Sequence, residues 1–377
     1  MLQIQFLDYN IADALVPAVS LEPQHVIFIY DSRKISKKYT VNIEKALRDN
    51  LPDVSVGFVD ADMYSVSDIL TKIFVAIEDF KDEKICIDIT GGPEIMTAAG
   101  ATLSFQRGYQ MIYTNLVRGK IIDVIKEEQI ADVKNITLRD YLTVIGAKRY
   151  RDSHPIPNVR DYEQICNVAE YLFKNEDEWH GLQSYIIKKC ASNSDMSFDI
   201  SDRPQDFSGR ILDVFENNGF IEKEGSGTYR FTSRDNRTLM MNYGVWLEMY
   251  IYIKGKNYFD EIYLGLTIDW DNEDPEDTRD NEIDVVAVRK SVPVFISCKM
   301  RKPEAKDIYE VACLADRLGG PQAEALLATT HNVSRGREKV NGLYQRFRRM
   351  NVGFIETDSF LTHNTADIFN TAMQMSE

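Results

Sequence analysis

Short apolar segments alternate with longer amphipathic segments over the N-terminal third of the chain. Six of the short segments are rich in β-branched residues, as buried strands are. They are Leu2 to Leu7, Val26 to Tyr30, Val54 to Val59, Ile85 to Ile89, Met111 to Leu116 and Ile121 to Ile125. Three segments between them have helical spacing: Tyr39 to Asn50, Ser65 to Phe80 and Glu94 to Arg107. The alternation predicts βαβ units and a mostly parallel, doubly wound sheet, with a hairpin at Arg118-Gly119-Lys120 joining the last two strands.

Polar residues follow several of the predicted strands. They are Asp8, Tyr9 and Asn10 after the first strand, Asp31, Ser32 and Arg33 after the second, and Thr90-Gly91-Gly92-Pro93-Glu94 after the fourth. Ligands of doubly wound sheets bind beyond the carboxyl ends of the strands. Paired glycines let backbone amides approach a ligand closely, and a helix N-terminus favours anionic groups. The pattern indicates a binding site, with a simple tight turn at Gly91-Gly92 as the alternative.

The alternating pattern ends between Lys148 and Arg160, where Pro155 and Pro157 indicate a linker. Helical segments follow at Tyr162 to Lys174, Leu182 to Lys189 and Pro204 to Asn218. Two short strand-like segments then flank Gly225-Ser226-Gly227, so the region predicts a small winged-helix-like module. Such modules bind DNA or act as spacers. Acidic residues in the predicted loops favour the spacer; they are Glu176, Asp177, Glu178, Asp195 and Asp199.

Two strand-like segments in the last third of the chain carry reactive side chains. Asn281 to Val286 and Val294 to Lys299 both alternate polar and apolar residues. Glu282 and Asp284 then share one strand face, as do Ser297 and Lys299. A hairpin through Lys290 to Pro293 brings the carboxylates and the ammonium together. Clustered carboxylates are costly unless a cation binds them, so the pattern indicates metal-assisted hydrolysis. A charged edge strand that prevents aggregation is the alternative.

Length, cysteine content and charge limit the number of domains, the compartment and the kind of substrate that we expect. A chain of 377 residues predicts two or three domains. Five scattered cysteines, an N-terminus without a secretory signal and no long apolar run predict a soluble, cytoplasmic protein. The net charge of -15 argues against indiscriminate nucleic-acid coating, and the segment from Asp269 to Asp284 is densely acidic. Val286 to Met350, however, holds 13 basic and 6 acidic residues, with clusters at Arg301-Lys302, Arg335-Gly336-Arg337 and Arg346 to Arg349. This local excess favours a polyanionic substrate.

These motifs and their order resemble a known family. Thr90-Gly91-Gly92, after Asp88-Ile89 and before a helix, resembles the second signature of CARF domains, the Rossmann-like sensors of type III CRISPR defence. The C-terminal hairpin resembles the core of PD-(D/E)XK nucleases. With a winged-helix-like module between the two, the chain resembles CARF nucleases that cyclic oligoadenylates activate. The resemblance implies a CARF domain over residues 1–150, a winged-helix-like linker domain over 151–238 and a restriction-endonuclease-like domain over 239–377.

For the sensor, the resemblance implies a homodimer around one cyclic oligoadenylate. Cyclic tetra-adenylate is favoured because an even ring matches a two-fold axis. The implied ligand-binding residues are Tyr9, Asn10, Ser32, Thr90, Gly91, Gly92 and Glu94. Family members often carry Thr and Lys after the glycine pair, whereas Pro93 and Glu94 stand here. Glu94 is then expected to accept a hydrogen bond from an adenine amino group or a ribose hydroxyl.

For the nuclease, the resemblance implies a metal site for Mn²⁺ or Mg²⁺ that cleaves DNA, RNA or both. Asp284 is the expected direct ligand, helped by Glu282 or by the Cys298 backbone carbonyl. Glu248, on a helix that begins near Gly244, is expected to order a metal-bound water, and Lys299 to hold or deprotonate the attacking water.

The family usually has an acid two residues before the lysine, where this chain has Ser297. Glu282 is the favoured replacement, with Glu310 on the next helix and weakened catalysis as alternatives. Two other functions remain open. One is a ligand-responsive regulator with a degenerate nuclease fold, whose winged helix binds DNA. The other is a ring nuclease that degrades its own cyclic ligand.

Overall fold

The computed structural model describes residues 1–147, 149–152, 161–190, 195–202, 209–269, 281–334, 342–362 and 364–374. Among these residues the strands form sheets of seven, three and six strands, and helices cover the sheets. This mixed α/β architecture confirms the predicted fold class. The predicted basic cluster Arg335 to Arg337 and most of the acidic segment before Asp284 lie outside the described residues.

The N-terminal sheet has the strand order β3-β2-β1-β4-β5-β6-β7. Its strands are β1 (Leu2–Phe6), β2 (His25–Tyr30), β3 (Ser55–Asp60), β4 (Ile85–Asp88), β5 (Gln110–Asn115), β6 (Lys120–Asp123) and β7 (Glu128–Asp132). The first five strands run parallel, and β6 and β7 continue the sheet as antiparallel strands. The six predicted strands and the hairpin at Gly119 are therefore confirmed. The polar residues after β1 and β4 meet at one edge because these strands are neighbours.

Helices cover both faces of this sheet. They are α1 (Ile11–Leu21), α2 (Lys37–Asn50), α3 (Val66–Ile77) and α4 (Glu94–Arg107). Helices α1 and α2 bury apolar residues on one face, and α3 and α4 do so on the other. Helix α1 was not predicted, because nearly all of its residues are buried and Pro17 lies inside it. Without a polar face, it has no amphipathic period for a sequence pattern to detect.

Helix α5 (Leu138–Ile145) connects the N-terminal and C-terminal cores. Its residues Tyr141 and Val144 pack with the N-terminal core, whereas Leu138 and Leu142 pack with the C-terminal core. The strand β8 (Arg149–Asp152) follows it and pairs with the C-terminal sheet. The first part of the predicted linker is therefore an edge strand of the C-terminal sheet.

The central module has the predicted helices and wing, with a third strand added. Its elements are α6 (Tyr162–Lys174), α7 (Glu176–Lys189), β9 (Ser197–Asp199), α8 (Gly209–Asn217), β10 (Ile221–Lys223), β11 (Thr228–Phe231) and α9 (Arg234–Met241). Its core is continuous with that of the C-terminal sheet. Phe215 packs against Trp179 and Trp246, with ring centroids 5.3 and 5.5 Å apart. The module is therefore built into the C-terminal half as a structural support.

The C-terminal sheet has the order β16-β15-β14-β13-β12-β8. Its further strands are β12 (Glu261–Asp269), β13 (Asn281–Arg289), β14 (Val292–Lys299), β15 (Glu324–Thr329) and β16 (Val352–Glu356). The associated helices are α10 (Val245–Gly255), α11 (Ala305–Gly319), α12 (Leu343–Arg349), α13 (Thr357–Thr362) and α14 (Thr365–Gln374). Helix α11 packs Ile308, Val311 and Leu318 against Phe295 of β14 and so backs this sheet. No helix within the described ranges is both long and apolar enough to cross a membrane.

We expect Gly353→Ala to destabilise the C-terminal sheet by about 3 kcal/mol, because overpacking a close contact strains the backbone. A Cβ at this position of β16 would lie 2.1 Å from the Ala372 carbonyl oxygen. The drop in the thermal unfolding midpoint measures the effect. Gly209→Ala is the matched control, since its Cβ would meet nothing within 4 Å. Equal midpoints for the two variants would contradict the packing of α14 on β16.

Candidate functional site

Asp8 connects the loop after β1 to the loop after β4. Its Oδ1 accepts a hydrogen bond of 2.7 Å from the Asn10 backbone N–H, and its Oδ2 accepts one of 2.9 Å from Gly92. Gly92 has a φ of 90°, and a Cβ there would lie 2.3 Å from the Phe6 Cβ. Only glycine fits this conformation and this approach. The two predicted ligand loops are therefore held next to each other by one carboxylate.

Thr90 is fixed by the buried Asp88. The Thr90 backbone N–H and Oγ1 donate to Asp88 Oδ1 at 2.8 and 2.5 Å, while Gln3 and Gln5 donate to Oδ2. Burial raises the pKa of Asp88 to about 6, against the lowering effect of these donors. Thr90 Oγ1 also accepts from the Thr114 N–H at 2.8 Å. The loop after β4 is therefore rigid before any ligand arrives.

Two other residues that were predicted to bind the ligand form hydrogen bonds to neighbouring loops of the protein. Tyr9 is exposed, and its hydroxyl donates to the Lys34 carbonyl at 2.7 Å. Ser32 faces the end of β3, where its N–H and Oγ donate to the Asp60 carboxylate at 2.8 and 2.7 Å. Tyr9 therefore stays near the β1 loop, whereas Ser32 is held on the side away from Thr90.

The first turn of α4 carries Glu94 at the surface. Glu94 is the first residue of the helix and is exposed. Pro93 is the N-cap and supplies no side-chain hydrogen bond to the turn. The first N–H groups of a helix need acceptors from outside it, so this turn presents backbone donors at the same edge as Gly91 and Gly92.

Asp13 is a residue of this edge that sequence analysis missed. Its Oδ2 accepts a 2.7 Å hydrogen bond from the Asn10 side chain, and its Oδ1 accepts one of 3.1 Å from Gln322. Burial, followed by the charge of Asp8, raises the pKa of Asp13 to about 7, although the Gln322 hydrogen bond opposes the shift. Asn10 caps α1 by accepting from the Asp13 N–H. The spacing Asn-x-x-Asp is a cap signature that was present in the sequence.

A hollow of about 760 Å³ lies at the opposite end of the N-terminal sheet, lined by Phe74, Lys84 and Arg107 among others. It adjoins the amino end of β4 rather than the carboxyl ends of the parallel strands. Ligands of doubly wound sheets bind at the carboxyl ends. We therefore assign it no part in the candidate site.

The hairpin of β13 and β14 turns through Lys290 and Ser291, both of which have positive φ. Such turns match the twist of the paired strands. Ser291 is buried, its carbonyl accepts from the Tyr141 hydroxyl at 2.6 Å, and its Oγ accepts from the Ile136 N–H at 3.1 Å. The turn is thereby anchored on α5 and on the segment that precedes it.

Asp284 lies near the other end of this hairpin and contacts three donors on β14. Its Oδ2 accepts from the Cys298 backbone N–H at 2.6 Å, from Ser297 Oγ at 3.3 Å and from Lys299 Nζ at 3.4 Å. Among the described residues, no hydrogen bond reaches its Oδ1. The structure therefore brings Asp284, Ser297 and Lys299 together and leaves one carboxylate oxygen available for a ligand.

Lys299 is charged in this setting. Burial acts to lower its pKa, but the charge of Asp284, the hydrogen bond to it and the nearby Asp307 together raise the pKa. Asp307 is itself buried at the start of α11 and pairs with Arg301 through two hydrogen bonds of 2.9 and 2.8 Å. Arg301 therefore supports α11 beside Lys299, and Lys299 keeps its ammonium at the hairpin end.

Glu248 lies on α10, which packs on the sheet face that receives the Cys298 side chain. Burial raises the pKa of the Cys298 thiol well above its usual value, and the negative charges of Asp284 and Glu248 raise it further. Both carboxylates therefore lie near this thiol. The thiol stays protonated and apolar in this environment, which leaves the backbone carbonyl as the only ligand that Cys298 offers a hard cation.

The missing acid at Ser297 has no clear replacement. Glu282 is exposed on β13, two residues before Asp284. Glu310 is exposed on α11, whose buried side faces the sheet. Within the described part of the chain, no group of three His, Cys, Asp or Glu side chains is close enough to hold a metal ion. Asp284 and the Cys298 carbonyl suit one hard cation, but the set is poorer in charge than an acid at residue 297 would make it.

Comparisons with known proteins agree with this two-part architecture. Residues 1–118 match the family model described as HFX_2341_N:-like, N-terminal, and residues 235–346 match that of the Card1-like endonuclease domain. No curated protein matches the sequence significantly.

Solved structures resemble the whole chain. Protein VC1899 from Vibrio cholerae is 18% identical with a TM-score of 0.79, and the match covers 99% of this chain and 97% of that one. Can2 from Sulfobacillus thermosulfidooxidans, solved with cyclic tetra-adenylate, is 16% identical with a TM-score of 0.69, covering 100% and 99%. A type III CRISPR defence DNA nuclease activated by cyclic oligoadenylate is 13% identical with a TM-score of 0.53, covering 87% and 45%.

The chain has the fold of a CARF nuclease. In this fold the N-terminal sheet and its helices correspond to the CARF domain, and the C-terminal sheet, most of which lies within the match to the Card1-like endonuclease model, corresponds to the nuclease domain. In the CARF domain, Asp8 and Asp88 brace the predicted ligand loops. In the nuclease domain, Asp284 and Lys299 meet at the end of the hairpin.

We expect Asp13→Asn to reduce the pH dependence of stability. The folded pKa of Asp13 is about 7 against an ordinary 3.8, so this group favours folding below about pH 4 and loses that contribution as the pH rises to about 7. Asn has no charge to bury, so the thermal midpoint of the variant relative to wild type should rise by a few degrees between pH 5 and pH 8. Asp49→Asn, on the exposed side of α2, is the control. A constant difference across this range would show that Asp13 ionises normally.

Proposed function

We propose that this protein is an endonuclease activated by a cyclic oligoadenylate in type III CRISPR defence. The hydrogen bond between Lys299 and Asp284 carries the proposal, because it joins a carboxylate and an ammonium at the end of a hairpin. This hairpin lies within residues 235–346, which match the Card1-like endonuclease model. The likeness in fold to Can2, which was solved with cyclic tetra-adenylate, supports the sensor part of the proposal.

The nuclease residues have distinct proposed roles in phosphodiester hydrolysis. Lys299, charged and half-buried, holds the attacking water and offsets negative charge at the scissile phosphate. Glu248 orients that water from α10. Asp284 positions the Lys299 ammonium through their hydrogen bond and also serves as the main metal ligand. The substrate is DNA, RNA or both, and basic residues of α12 such as Arg346 and Arg349 neutralise its phosphates.

Asp284 and the Cys298 carbonyl are the groups that would hold Mg²⁺ or Mn²⁺, with Glu282 as the additional carboxylate. A divalent cation there would lower the pKa of a water molecule and stabilise charge on the phosphate. The free Oδ1 of Asp284 supports this assignment, since its Oδ2 is used by three protein donors.

In the CARF domain, the loops after β1 and β4 are the proposed binding site for cyclic tetra-adenylate. Gly91 presents its backbone N–H beside the first turn of α4, which suits phosphate or ribose oxygens, while the Gly92 N–H is held by Asp8. Asn10 has a second amide N–H beyond the one donated to Asp13, and the exposed Tyr9 offers an aromatic ring for the nucleosides. Thr90 lines the site, with its hydroxyl held by Asp88 and the Thr114 N–H. Glu94 accepts from an adenine amino group or a ribose hydroxyl, because it is exposed at the helix start.

We further propose a homodimer in which two CARF domains share one ring. Helices α3 and α4 present large apolar side chains to solvent, including Phe74, Val75 and Phe105. Large exposed apolar side chains on neighbouring helices are typical of a protein interface. A two-fold axis at this face suits an even-numbered ring.

The test of the proposed function is cleavage by purified protein with Mn²⁺ and either plasmid DNA or single-stranded RNA. We expect cleavage only when cyclic tetra-adenylate is added. Asp284→Ala should lower the rate by at least about 100-fold, because it removes the metal ligand and the partner of Lys299. Asp213→Ala, at an exposed position of α8, is the control.

Three results would contradict parts of this proposal. Ligand-dependent retention of DNA without cutting would favour a regulator with a degenerate nuclease fold. Chromatography of the adenylate after incubation would reveal a ring nuclease if the ring is opened. Cutting that survives Asp284→Ala would exclude the assigned active site.

Ser297→Glu should increase the affinity of the proposed site for the metal ion. Ser297 lies beside Asp284, with its Oγ 3.3 Å from Oδ2, so a carboxylate there adds one negative charge to the proposed ligand set. We expect the Mn²⁺ concentration for half-maximal cleavage to fall roughly fivefold, which corresponds to about 1 kcal/mol. Ser297→Gln, which is similar in size and neutral, is the matched control. No change in metal affinity would mean that another group already supplies the missing charge.

A further inference from the structure

A cleft of about 750 Å³ lies between the CARF domain and the nuclease domain. Thr90 and Asp13 line its CARF side, together with the β5–β6 hairpin that carries Arg118. The nuclease side contributes Arg289 and Lys290 from the turn of the β13–β14 hairpin and Pro321 to Glu324 from the turn after α11. The carboxyl edge where Thr90 is fixed is thus partly enclosed by the nuclease domain.

The two domains touch directly at this cleft. Gln322 donates to Asp13 Oδ1 at 3.1 Å, and a Cβ on Gly320 would lie 3.3 Å from the Tyr9 carbonyl oxygen. Gln322 Oε1 is buried and has no hydrogen-bond partner among the residues that the structure describes. A buried acceptor without a partner is costly, so Gln322 has an unused group beside the edge at which the ligand is proposed to bind.

Three cations surround the cleft, whose lining also holds the carboxyl groups of Asp13 and Glu324. Arg118, Arg289 and Lys290 form no ion pair among the described residues. Arg289 is half-buried, stacks on the Tyr258 ring at 3.7 Å and donates to Asn370 at 3.1 Å. Burial lowers the pKa of Arg289, which means that the unpaired charge is held there at a cost. An anion in the cleft would offset that cost.

We propose that the nuclease domain forms one wall of the effector site, and that Arg289 and Lys290 bind phosphate groups of the adenylate across the cleft from Arg118. This inference rests on the proposed function, because it takes the same ligand. Gln322 then supplies its Oε1 to a ligand donor, such as an adenine amino group. The chemistry of the cleft, three cations and an unused amide oxygen, matches a nucleotide ring with several phosphates.

The position of these cations gives the bound ligand a direct route to the active site. Arg289 ends β13, and Lys290 begins the turn of the hairpin whose other end carries Asp284 and Lys299. Arg289 lies five residues from Asp284 along β13, or roughly 17 Å at strand geometry. A ligand that binds at the turn therefore contacts the same hairpin that positions Asp284 and Lys299.

The test measures equilibrium binding of labelled cyclic tetra-adenylate to the full chain, separately from cleavage. Lys290→Asn removes the charge, and Asn tolerates the positive φ of this position. Arg289→Gln and Arg289→Lys test whether the charge of this half-buried residue contributes to ligand binding. Arg234→Gln, on the exposed surface of α9, is the matched control, and thermal midpoints verify that each variant is folded.

We expect Lys290→Asn and Arg289→Gln each to weaken binding about tenfold, since one charge-assisted hydrogen bond contributes about 1.4 kcal/mol. Arg289→Lys should recover part of the loss, and Arg234→Gln should bind as wild type does. If wild type binds and is activated but Lys290→Asn and Arg289→Gln bind within twofold of it, the cleft is not part of the site, while the proposed function stands. If wild type neither binds nor responds, both proposals fail together.

Discussion

The anchoring of Ser291 is the constraint that joins the two domains mechanically. This buried residue sits at the tip of the hairpin that carries Asp284 and Lys299, and it is held by the Tyr141 hydroxyl and the Ile136 N–H. Tyr141 in turn packs in the CARF core. Because both hydrogen bonds are buried, breaking either one leaves an unsatisfied polar group. The hairpin therefore cannot move independently of the segment that leaves the CARF domain.

Acidic residues in the CARF domain act mainly on its own backbone. The carboxylate oxygens of Asp8 accept hydrogen bonds from the backbone N–H groups of Asn10 and Gly92, and Asp88 accepts one from that of Thr90. A polyanionic ligand is repelled by unshielded carboxylates, so these acids are tolerable at such an edge only because donors surround them. The raised pKa of Asp13, about 7, reduces its negative charge near neutral pH. The edge is thus less negative than its composition indicates.

The local sequence pattern predicted the helices and strands that have one face in the core and one in solvent. It failed for elements that are buried on all sides and for residues whose contacts lie far away in the sequence. The strands before Asp8 and Gly91, helix α11 and the β13–β14 hairpin all have a clear period or turn signal. Helix α1 has none, because both of its sides are buried. Asp13 and Gln322 are 309 positions apart, so no local spacing relates them. Arg289 was seen only as one charge in a basic region, since its isolation from carboxylates depends on the tertiary fold.

Ser297 is best understood through the hydrogen bonds of its neighbour. In the family pattern, an acid at this position and Asp284 would share a cation. Here the hydroxyl donates to Asp284 Oδ2, which already accepts from Cys298 and Lys299. A carboxylate that receives several donors is a weaker ligand through that oxygen, and so only Oδ1 remains effective. The hairpin end thus combines few negative charges with an ammonium that contacts Asp284. In the proposed hydrolysis, Lys299 would therefore take a larger share in stabilising the phosphate.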